Sequence, residues 1–412
     1  MKAIIIGGGI GGLTAALCLH KIGLEVTVFE SVKEVKPLGV GINLLPHSVR
    51  VLTYLGLQPI IAENAIETTD LAYFNKFGQA FWSEPRGRFA GYKWPQFSIH
   101  RGTLQRILFE EALRVLGSEA IKTNHHLVSF EQNEQEVIAH FADKETGQSI
   151  GRETGDFLIG ADGINSVVRQ QLYPNEGPPV YSSNVLYRGT TRMKPFLNGT
   201  TMVMVGHMGQ KMVAYPIHPQ RDAEGNMLIN WVANLRENDK VKLEVRDWNR
   251  AADQQRLVKI YKNWMFDWLD VPAMIAGANA VYEFPMSDRN PLERWTFGRI
   301  TLLGDAAHPM YPIGSNGASQ AILDADYLAE CLTDTQNVME ALQVYNNERV
   351  PATAKVVLQN RAKGPDEIMD RMEERFPAGF SPDQIPHTEL EEVMNHYKKI
   401  AGFDIQTLNQ KS

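Results

Sequence analysis

The spacing of hydrophobic residues predicts alternating strands and helices near both ends of the chain. Residues 2–6 form a short β-branched run, residues 13–22 carry apolar side chains at helical spacing, and residues 25–30 return to a strand pattern. This order predicts a βαβ unit at the start of the protein. A strand over 299–303 precedes a helix over 319–332, so we expect the same domain to resume there after an interruption.

The middle and the end of the chain follow other patterns. Residues 71–99 are rich in aromatic side chains, residues 176–285 read mainly as strands, and a charged helical stretch near the end has Thr388 and Glu391 spaced as a capping box. The predicted fold class is α/β: a Rossmann-like domain, an interleaved β-sheet domain and a C-terminal helical cover. We expect boundaries at 1–70, 100–175 and 286–355 for the first, 71–99 and 176–285 for the second, and 356–412 for the third.

The composition excludes several classes of protein. The chain has 412 residues and a formal net charge of −7, so it offers no basic surface for a nucleic acid. The two cysteines, Cys18 and Cys331, cannot form a disulfide framework, and the adjacent His125 and His126 would face opposite ways on a strand, so no metal site is expected. The apolar run over 306–323 is broken by proline, glycine and polar residues, which argues against a membrane span. Without a signal-peptide pattern, we expect a cytoplasmic protein.

The glycine cluster after the first strand is the first chemical motif. Gly7, Gly9 and Gly12 hold the positions of a G-x-G-x-x-G sequence, which lets a pyrophosphate approach the backbone at a helix N-terminus. Glu30 ends the second strand, where a carboxylate can accept hydrogen bonds from ribose hydroxyls. This motif alone fits NAD and FAD equally, and a purely structural glycine turn is the alternative.

Two further motifs accompany the glycine cluster. Asp162-Gly163 is followed by Arg169, and Gly304-Asp305 is followed by a glycine-rich loop and a helix. The residues of interest in that loop and helix are Pro312, Gly314, Asn316, Gly317 and Asp324. Together, over roughly residues 1–355, the motifs resemble the class A flavoprotein monooxygenases, the group that includes para-hydroxybenzoate and salicylate hydroxylases. Segments 37–43, 82–87, 98–102, 213–217 and 298–324 are similar to the branch containing 5-methylphenazine-1-carboxylate 1-monooxygenase.

The resemblance implies a GR2-type FAD-binding domain and gives roles to the third motif. Asp305 is placed to accept hydrogen bonds from the ribityl chain of FAD. The loop containing Pro312, Gly314, Asn316 and Gly317 lets the following helix direct its N-terminus at the flavin ring, where it would stabilise negative charge.

The resemblance also gives roles to the second motif and to Arg101. Asp162 and Gly163 support FAD and transient nicotinamide binding, and Arg101 reaches the phosphate or ribityl region of the cofactor. The alternative for Asp162 and Arg169 is a capped turn with a surface ion pair. A structural ion pair is likewise the alternative for Arg101.

The reaction implied by the resemblance is an aromatic hydroxylation. NADH or NADPH, bound transiently because no second nucleotide fingerprint is present, reduces FAD, which then forms a C4a-hydroperoxyflavin with dioxygen. Its distal oxygen goes to a planar aromatic or N-heteroaromatic acid, such as a phenazine carboxylate or a salicylate-like compound, with or without decarboxylation. The alternatives are an FAD enzyme of this fold that inactivates a polycyclic antibiotic or acts as a reductase, and a non-catalytic flavin-binding protein. No residue pattern fixes the oligomeric state, for which a homodimer is one option.

Four residues have candidate roles on the substrate side. Tyr215, on a predicted strand, orients or deprotonates a phenolic substrate, or it is a core aromatic. His47 acts as a base, or it caps a helix or lies at the surface. Arg188 pairs with a substrate carboxylate or belongs to a structural ion pair, and for His308 we favour packing beside the flavin. The aromatic run over 73–97 lines a flat pocket or packs within a sheet.

Overall fold

The core of the molecule is a five-stranded parallel sheet. The structure is a computed structural model that describes residues 1–34, 40–237, 250–335 and 337–411, so residues 37–39 of the phenazine-branch segment 37–43 lie outside the described residues. The strands of the parallel sheet, in spatial order, are Ile300–Leu302, Phe157–Gly160, Lys2–Ile6, Glu25–Phe29 and Ile121–Lys122. Most of their side chains are buried, as expected when helices cover both faces of a parallel sheet.

Helices of six to twenty-four residues contribute buried side chains to the hydrophobic core that contains this sheet. They are Ile10–Lys21, Pro46–Tyr54, Gln58–Asn64, Arg101–Leu116, Val167–Leu172, Gly317–Asp334 and Val338–Arg361. The helices predicted over 13–22, 103–116 and 319–332 are present, each beginning two or three residues earlier than predicted. None of the helices in the described ranges has the length and apolar character needed to cross a membrane.

A seven-stranded sheet forms the second layer. Its strands, in spatial order, are Val281–Asp288, Val180–Met193, Met227–Arg236, Gln210–His218, Thr201–His207, Asp70–Phe74 and Ala80–Pro85. Side chains alternate between its faces. Met212 and Ala214 pack in the cluster that contains helices Gln254–Ile260 and Val271–Ala276, while Val213 and Tyr215 pack in another cluster with residues of the C-terminal helices.

Smaller sheets complete the fold. One three-stranded sheet contains Gly41–Leu44, Phe97–His100 and Ala65–Glu67. Another contains His126–Gln132, Val137–Ala142 and Ser149–Gly155, and a two-stranded sheet contains Met265–Phe266 and Leu269–Asp270. Gly41 lies where the first of these sheets meets the seven-stranded sheet. Its backbone N–H donates to Asn230 Oδ1 at 2.6 Å, and a Cβ at Gly41 would approach Asn230 and Ile217 to 2.7 Å. The α/β architecture is confirmed, whereas the residue boundaries of the three domains stay a prediction.

The C-terminal segment is helical and is tied to the rest of the protein by a buried tyrosine. Its helices are Glu367–Arg375, His387–Ile400 and Ile405–Gln410. Tyr397 accepts a hydrogen bond from Asn316 Nδ2 at 3.0 Å and donates to Asn360 Oδ1 at 2.9 Å. The predicted capping box is wrong, because the helix starts at His387 after Pro386 and places Thr388 inside its first turn.

Replacing Tyr397 with Phe tests this attachment. Loss of the hydroxyl leaves Asn360 Oδ1 without its donor and Asn316 Nδ2 with one acceptor fewer, so the free energy of unfolding should fall by about 1–3 kcal/mol. Urea unfolding measures it, and Tyr54→Phe is the control because the Tyr54 side chain is 56% exposed. Equal urea midpoints for the two variants would show that the Tyr397 hydroxyl contributes nothing to the free energy of unfolding.

Candidate active site

The three sequence motifs meet at one edge of the parallel sheet. Gly7 follows Lys2–Ile6, Asp162 follows Phe157–Gly160, and Asp305 follows Ile300–Leu302. Because these strands are parallel neighbours, their carboxyl ends lie side by side. Ligands of open α/β sheets bind at this edge, so the arrangement supplies a site for one dinucleotide.

The glycine turn divides into packing positions and an open position. Gly7 has a φ of +109°, and a Cβ there would lie 2.4 Å from Ala161 O, while a Cβ at Gly12 would lie 2.0 Å from Gly7 O. Gly9, immediately before helix Ile10–Lys21, has no neighbouring atom within 4 Å of its Cβ position. The backbone is therefore open at the helix N-terminus, where a pyrophosphate of FAD fits.

Glu30 is held in place beside the glycine turn. Its Oε2 accepts from the backbone N–H of Gly8 at 2.8 Å, and its Oε1 accepts from that of Val32 at 3.0 Å. A carboxylate has further lone pairs, so Glu30 can also accept hydrogen bonds from ribose hydroxyls. Gln105 holds the turn from the other side by donating to Gly8 O at 2.8 Å. This contact could not be predicted from the sequence, because a glutamine on an amphipathic helix belongs to no motif.

Asp162 is turned toward the following helix. Its Oδ2 accepts from the backbone N–H of Val167 at 2.7 Å, and its Oδ1 accepts from Ser166 Oγ at 2.5 Å. Burial raises the pKa of the Asp162 carboxyl. Both oxygens of Asp162 thus take part in capping helix Val167–Leu172, in agreement with the alternative of a capped turn. Gly163 has a φ of +78° and open space around its Cβ position. A role for Asp162 and Gly163 in cofactor binding stays a prediction.

Arg169 connects the second motif to the third. Its Nη1 donates to Ala306 O at 3.0 Å and to Ala307 O at 2.8 Å, and its Nε donates to Glu176 Oε2 at 2.8 Å. Arg169 is only 1% exposed, so its ion pair with Glu176 is not at the surface. A planar guanidinium that binds two carbonyls and a carboxylate fixes the turn that carries Asp305.

The turn at Asp305 is supported from beneath by a buried ionic cluster. Asp324 accepts from the backbone N–H of Gly304 at 3.0 Å and contacts His308 Nε2 at 2.6 Å and Arg349 Nε at 2.8 Å. Burial opposes ionisation of Asp324, but His308 and Arg349 outweigh it and lower the pKa of that carboxyl. His308 is therefore a packing residue of the turn, whereas the exposed carboxylate of Asp305 is available to a ligand.

The loop after this turn presents a helix N-terminus. Gly314 has a φ of +66°, and a Cβ there would clash with Tyr397 Oη at 2.1 Å. Asn316 precedes helix Gly317–Asp334 and donates to Gly314 O at 3.1 Å without capping the helix through its side chain. The first backbone N–H groups of the helix consequently remain available for a ligand, and Pro312 is exposed beside them.

Arg101 and His47 occupy very different surroundings. Arg101 begins helix Arg101–Leu116 with an exposed side chain that has no hydrogen-bond or ion-pair partner in the part of the chain that the structure describes. A role of Arg101 in binding a cofactor phosphate stays a prediction. His47 is 1% exposed, its ring centroid lies 5.3 Å from that of Phe403, and burial lowers its pKa to about 3. A base at His47 stays a prediction, and the imidazole is neutral above about pH 4.

One face of the seven-stranded sheet lies next to the loop of the third motif. Tyr215 lies opposite Asn230, and Arg188 lies opposite Val232. Because Asn230 and Val232 are two residues apart on one strand, all four side chains lie on the same face of the sheet. Tyr311 and Ile313 pack against residues of the same sheet, which brings the loop of the third motif next to this face. Burial raises the pKa of Tyr215, with Arg188 acting in the opposite direction, so the hydroxyl is a donor at neutral pH.

Substituting Arg169 with Lys tests the connection between the motifs. An ammonium cannot bind two carbonyls and Glu176 together, so FAD affinity should fall about tenfold or more, and unfolding should cost about 3–5 kcal/mol less. Titrating the apoprotein with FAD and following quenching of flavin fluorescence measures the affinity. The matched control is Arg106→Lys, whose ion pair with Glu110 is exposed. Equal FAD affinity in both variants would contradict the role given to Arg169.

Comparison with known proteins agrees with this geometry. A family model described as FAD binding domain matches residues 1–360. Phenazine 1,6-dicarboxylic acid hydroxylase of Lysobacter antibioticus is 40% identical over 87% of this chain and 88% of its own, and 3-hydroxybenzoate 6-hydroxylase of Klebsiella oxytoca is 30% identical over 88% of each. HpxO of Klebsiella pneumoniae, solved with FAD and uric acid, superposes with a TM-score of 0.74 at 22% identity, covering 99% of this chain and 96% of its own, and so shows the same fold. The predictions of FAD and of the family are confirmed: the chain belongs to the class A FAD-dependent aromatic monooxygenases and is an oxidoreductase.

Proposed function

We propose that the protein hydroxylates a planar aromatic or N-heteroaromatic acid with NADH or NADPH and dioxygen. The observation that carries this proposal is that Tyr215 and Arg188 lie on the sheet face that packs against the loop of the third motif. The relatives are named for a phenazine dicarboxylic acid and a hydroxybenzoate, and both compounds are flat ring acids. A sheet face that combines apolar side chains with a phenol and a guanidinium suits that chemistry.

The reaction balances with one nicotinamide for each ring. One ring C–H becomes C–OH with one oxygen atom of dioxygen. The other oxygen atom leaves as water, using the hydride of NAD(P)H and one proton. Bound FAD supplies the acceptor of the hydride and the reduced ring that reacts with dioxygen. If the hydroxylated carbon carries a carboxylate, carbon dioxide leaves in place of the ring proton.

The residues of the chain position the reactants and exclude water. The N-terminus of helix Gly317–Asp334 favours negative charge at the flavin ring. Val213, Val232 and Phe284 supply apolar surface for the body of a substrate ring, and the Tyr215 hydroxyl can donate to a ring oxygen. The sequence contains no second dinucleotide fingerprint, which supports transient nicotinamide binding.

Turnover with labelled dioxygen tests the proposed reaction. The FAD-loaded enzyme should oxidise NADH or NADPH faster when phenazine-1-carboxylate, salicylate or 3-hydroxybenzoate is added, and a product should gain one labelled oxygen. Mass spectrometry measures the label and also reports loss of carbon dioxide. Nicotinamide oxidation that no ring acid stimulates, or a product without the label, would contradict hydroxylation.

Tyr215→Phe separates an orienting donor from a catalytic base. Because burial keeps the Tyr215 hydroxyl protonated, kcat/KM should fall about tenfold while its pH dependence from about pH 6 to about pH 9 keeps the same shape. Tyr187→Phe is the control, since Tyr187 lies on the opposite face of the same sheet. A basic limb that is present in the wild-type profile and absent in Tyr215→Phe would instead identify Tyr215 as the base.

A further inference from the structure

Ser315 has a strained backbone conformation in the loop of the third motif. Its φ is +58°, and Gly314 before it has a φ of +66°, so two successive residues of the loop are left-handed. A residue other than glycine disfavours this conformation about tenfold, because its Cβ approaches the following carbonyl oxygen too closely. In the part of the chain that the structure describes, five residues other than glycine have a positive φ, and only Ser315 among them lies in a cofactor motif. Such strain persists where surrounding contacts hold it in place.

A buried asparagine makes the contact that holds Ser315. Asn43, in strand Gly41–Leu44, donates from Nδ2 to Ser315 Oγ at 3.3 Å and contacts Met202 Sδ at 3.5 Å. Its Oδ1 accepts a hydrogen bond from Ser98 Oγ at 2.6 Å. Asn43 is 3% exposed, so protein atoms and not bulk water fix the position of its amide. The hydrogen bond to Ser315 therefore comes from a side chain that is itself held on both sides.

The groups behind Asn43 form a buried chain of hydrogen bonds. Thr68 Oγ1 lies 2.8 Å from Ser98 Oγ, and each of these two side chains is 1% exposed. Two residues before Asn43, the backbone N–H of Gly41 donates to Asn230 Oδ1 on the seven-stranded sheet, which fixes the strand at a second point. Polar groups that satisfy one another in a buried chain are more rigid than an isolated pair. The Asn43 amide thus presents its donor to the loop from a fixed position.

We propose that Asn43 is a positioning residue for the flavin. By holding Ser315 in the left-handed turn, it keeps the N-terminus of helix Gly317–Asp334 directed at the flavin ring. The helix begins two residues after Ser315, so a loop that left this turn would redirect the first N–H groups of the helix. A helix N-terminus stabilises the negative charge that the ring gains on reduction, so the turn favours reduced over oxidised FAD. This inference goes beyond the proposed function, because it concerns the cofactor and holds for any ring substrate.

Redox titration of the FAD-loaded enzyme, followed by flavin absorbance, tests the proposal without a ring substrate. Asn43→Ala and Ser315→Ala each remove the hydrogen bond and keep the strained Cβ. In both variants the ratio of affinities for reduced and oxidised FAD should fall about tenfold, which lowers the midpoint potential of this two-electron couple by about 30 mV. Ser315→Gly removes the hydrogen bond and the strain together, so its ratio should stay within about threefold of the wild-type value.

The double variant with Asn43→Ala and Ser315→Gly distinguishes a positioning residue from a merely structural one. Without a Cβ at position 315 the turn needs no support, so adding Asn43→Ala to Ser315→Gly should change the ratio less than about threefold. A merely structural asparagine would give the same change in both backgrounds. Leu197→Gly is the control for removing a strained Cβ, because Leu197 has a φ of +47° in an exposed turn before strand Thr201–His207. It should leave the ratio unchanged.

Each outcome supports or overturns the role of Asn43. An equal fall in Ser315→Gly and Ser315→Ala would overturn it, because the Ser315 hydroxyl would then act on the flavin directly. An unchanged ratio in Asn43→Ala would overturn it as well, because the turn would need no support. If Asn43→Ala fails to fold, the comparison of Ser315→Ala with Ser315→Gly decides the question from the half-buried end of the hydrogen bond. No ring substrate is added, so these results stand whether or not the enzyme inserts labelled oxygen.

Discussion

The close approach of the first helix to two loops of the parallel sheet is the constraint on which the site depends. A side chain at Gly7 would meet Ala161 O at 2.4 Å, and one at Gly12 would meet Gly7 O at 2.0 Å. The turn therefore exists only because both positions lack a Cβ. This contact sets the glycine turn beside the second motif, and Arg169 then ties the second motif to the turn carrying Asp305.

The proposed function gives each of the two sheets a different task. We expect the parallel sheet to present backbone groups and carboxylates to the cofactor, and the seven-stranded sheet to present Tyr215 and Arg188 to the substrate. We expected the C-terminal segment to be a helical cover. It also holds the loop of the third motif in place, because Tyr397 packs against Gly314 and accepts a hydrogen bond from Asn316. The position of the loop between cofactor and substrate thus depends on residues from three separate parts of the chain.

FAD could be predicted from the sequence because the signals for it are local. Gly7 and Gly9 lie between a strand and a helix that can both be recognised from spacing alone, Gly12 lies in the first turn of that helix, and Asp305 closely follows another strand. The substrate side depends on contacts between distant residues. Neither the burial of His47 against Phe403 nor the enclosed Arg188 Nε, which has no hydrogen bond to any described residue, can be recognised from spacing, because both follow from tertiary packing.

The most direct test of the account is a crystal structure of the FAD-loaded enzyme with phenazine-1-carboxylate. The account predicts the FAD pyrophosphate at Gly9, the flavin ring at the N-terminus of helix Gly317–Asp334, and the ligand carboxylate on the Arg188 guanidinium with its ring beside Tyr215. A ligand carboxylate bound away from Arg188, with the flavin in the same place, would contradict the account of the substrate side. FAD bound away from Gly9 would contradict the account as a whole.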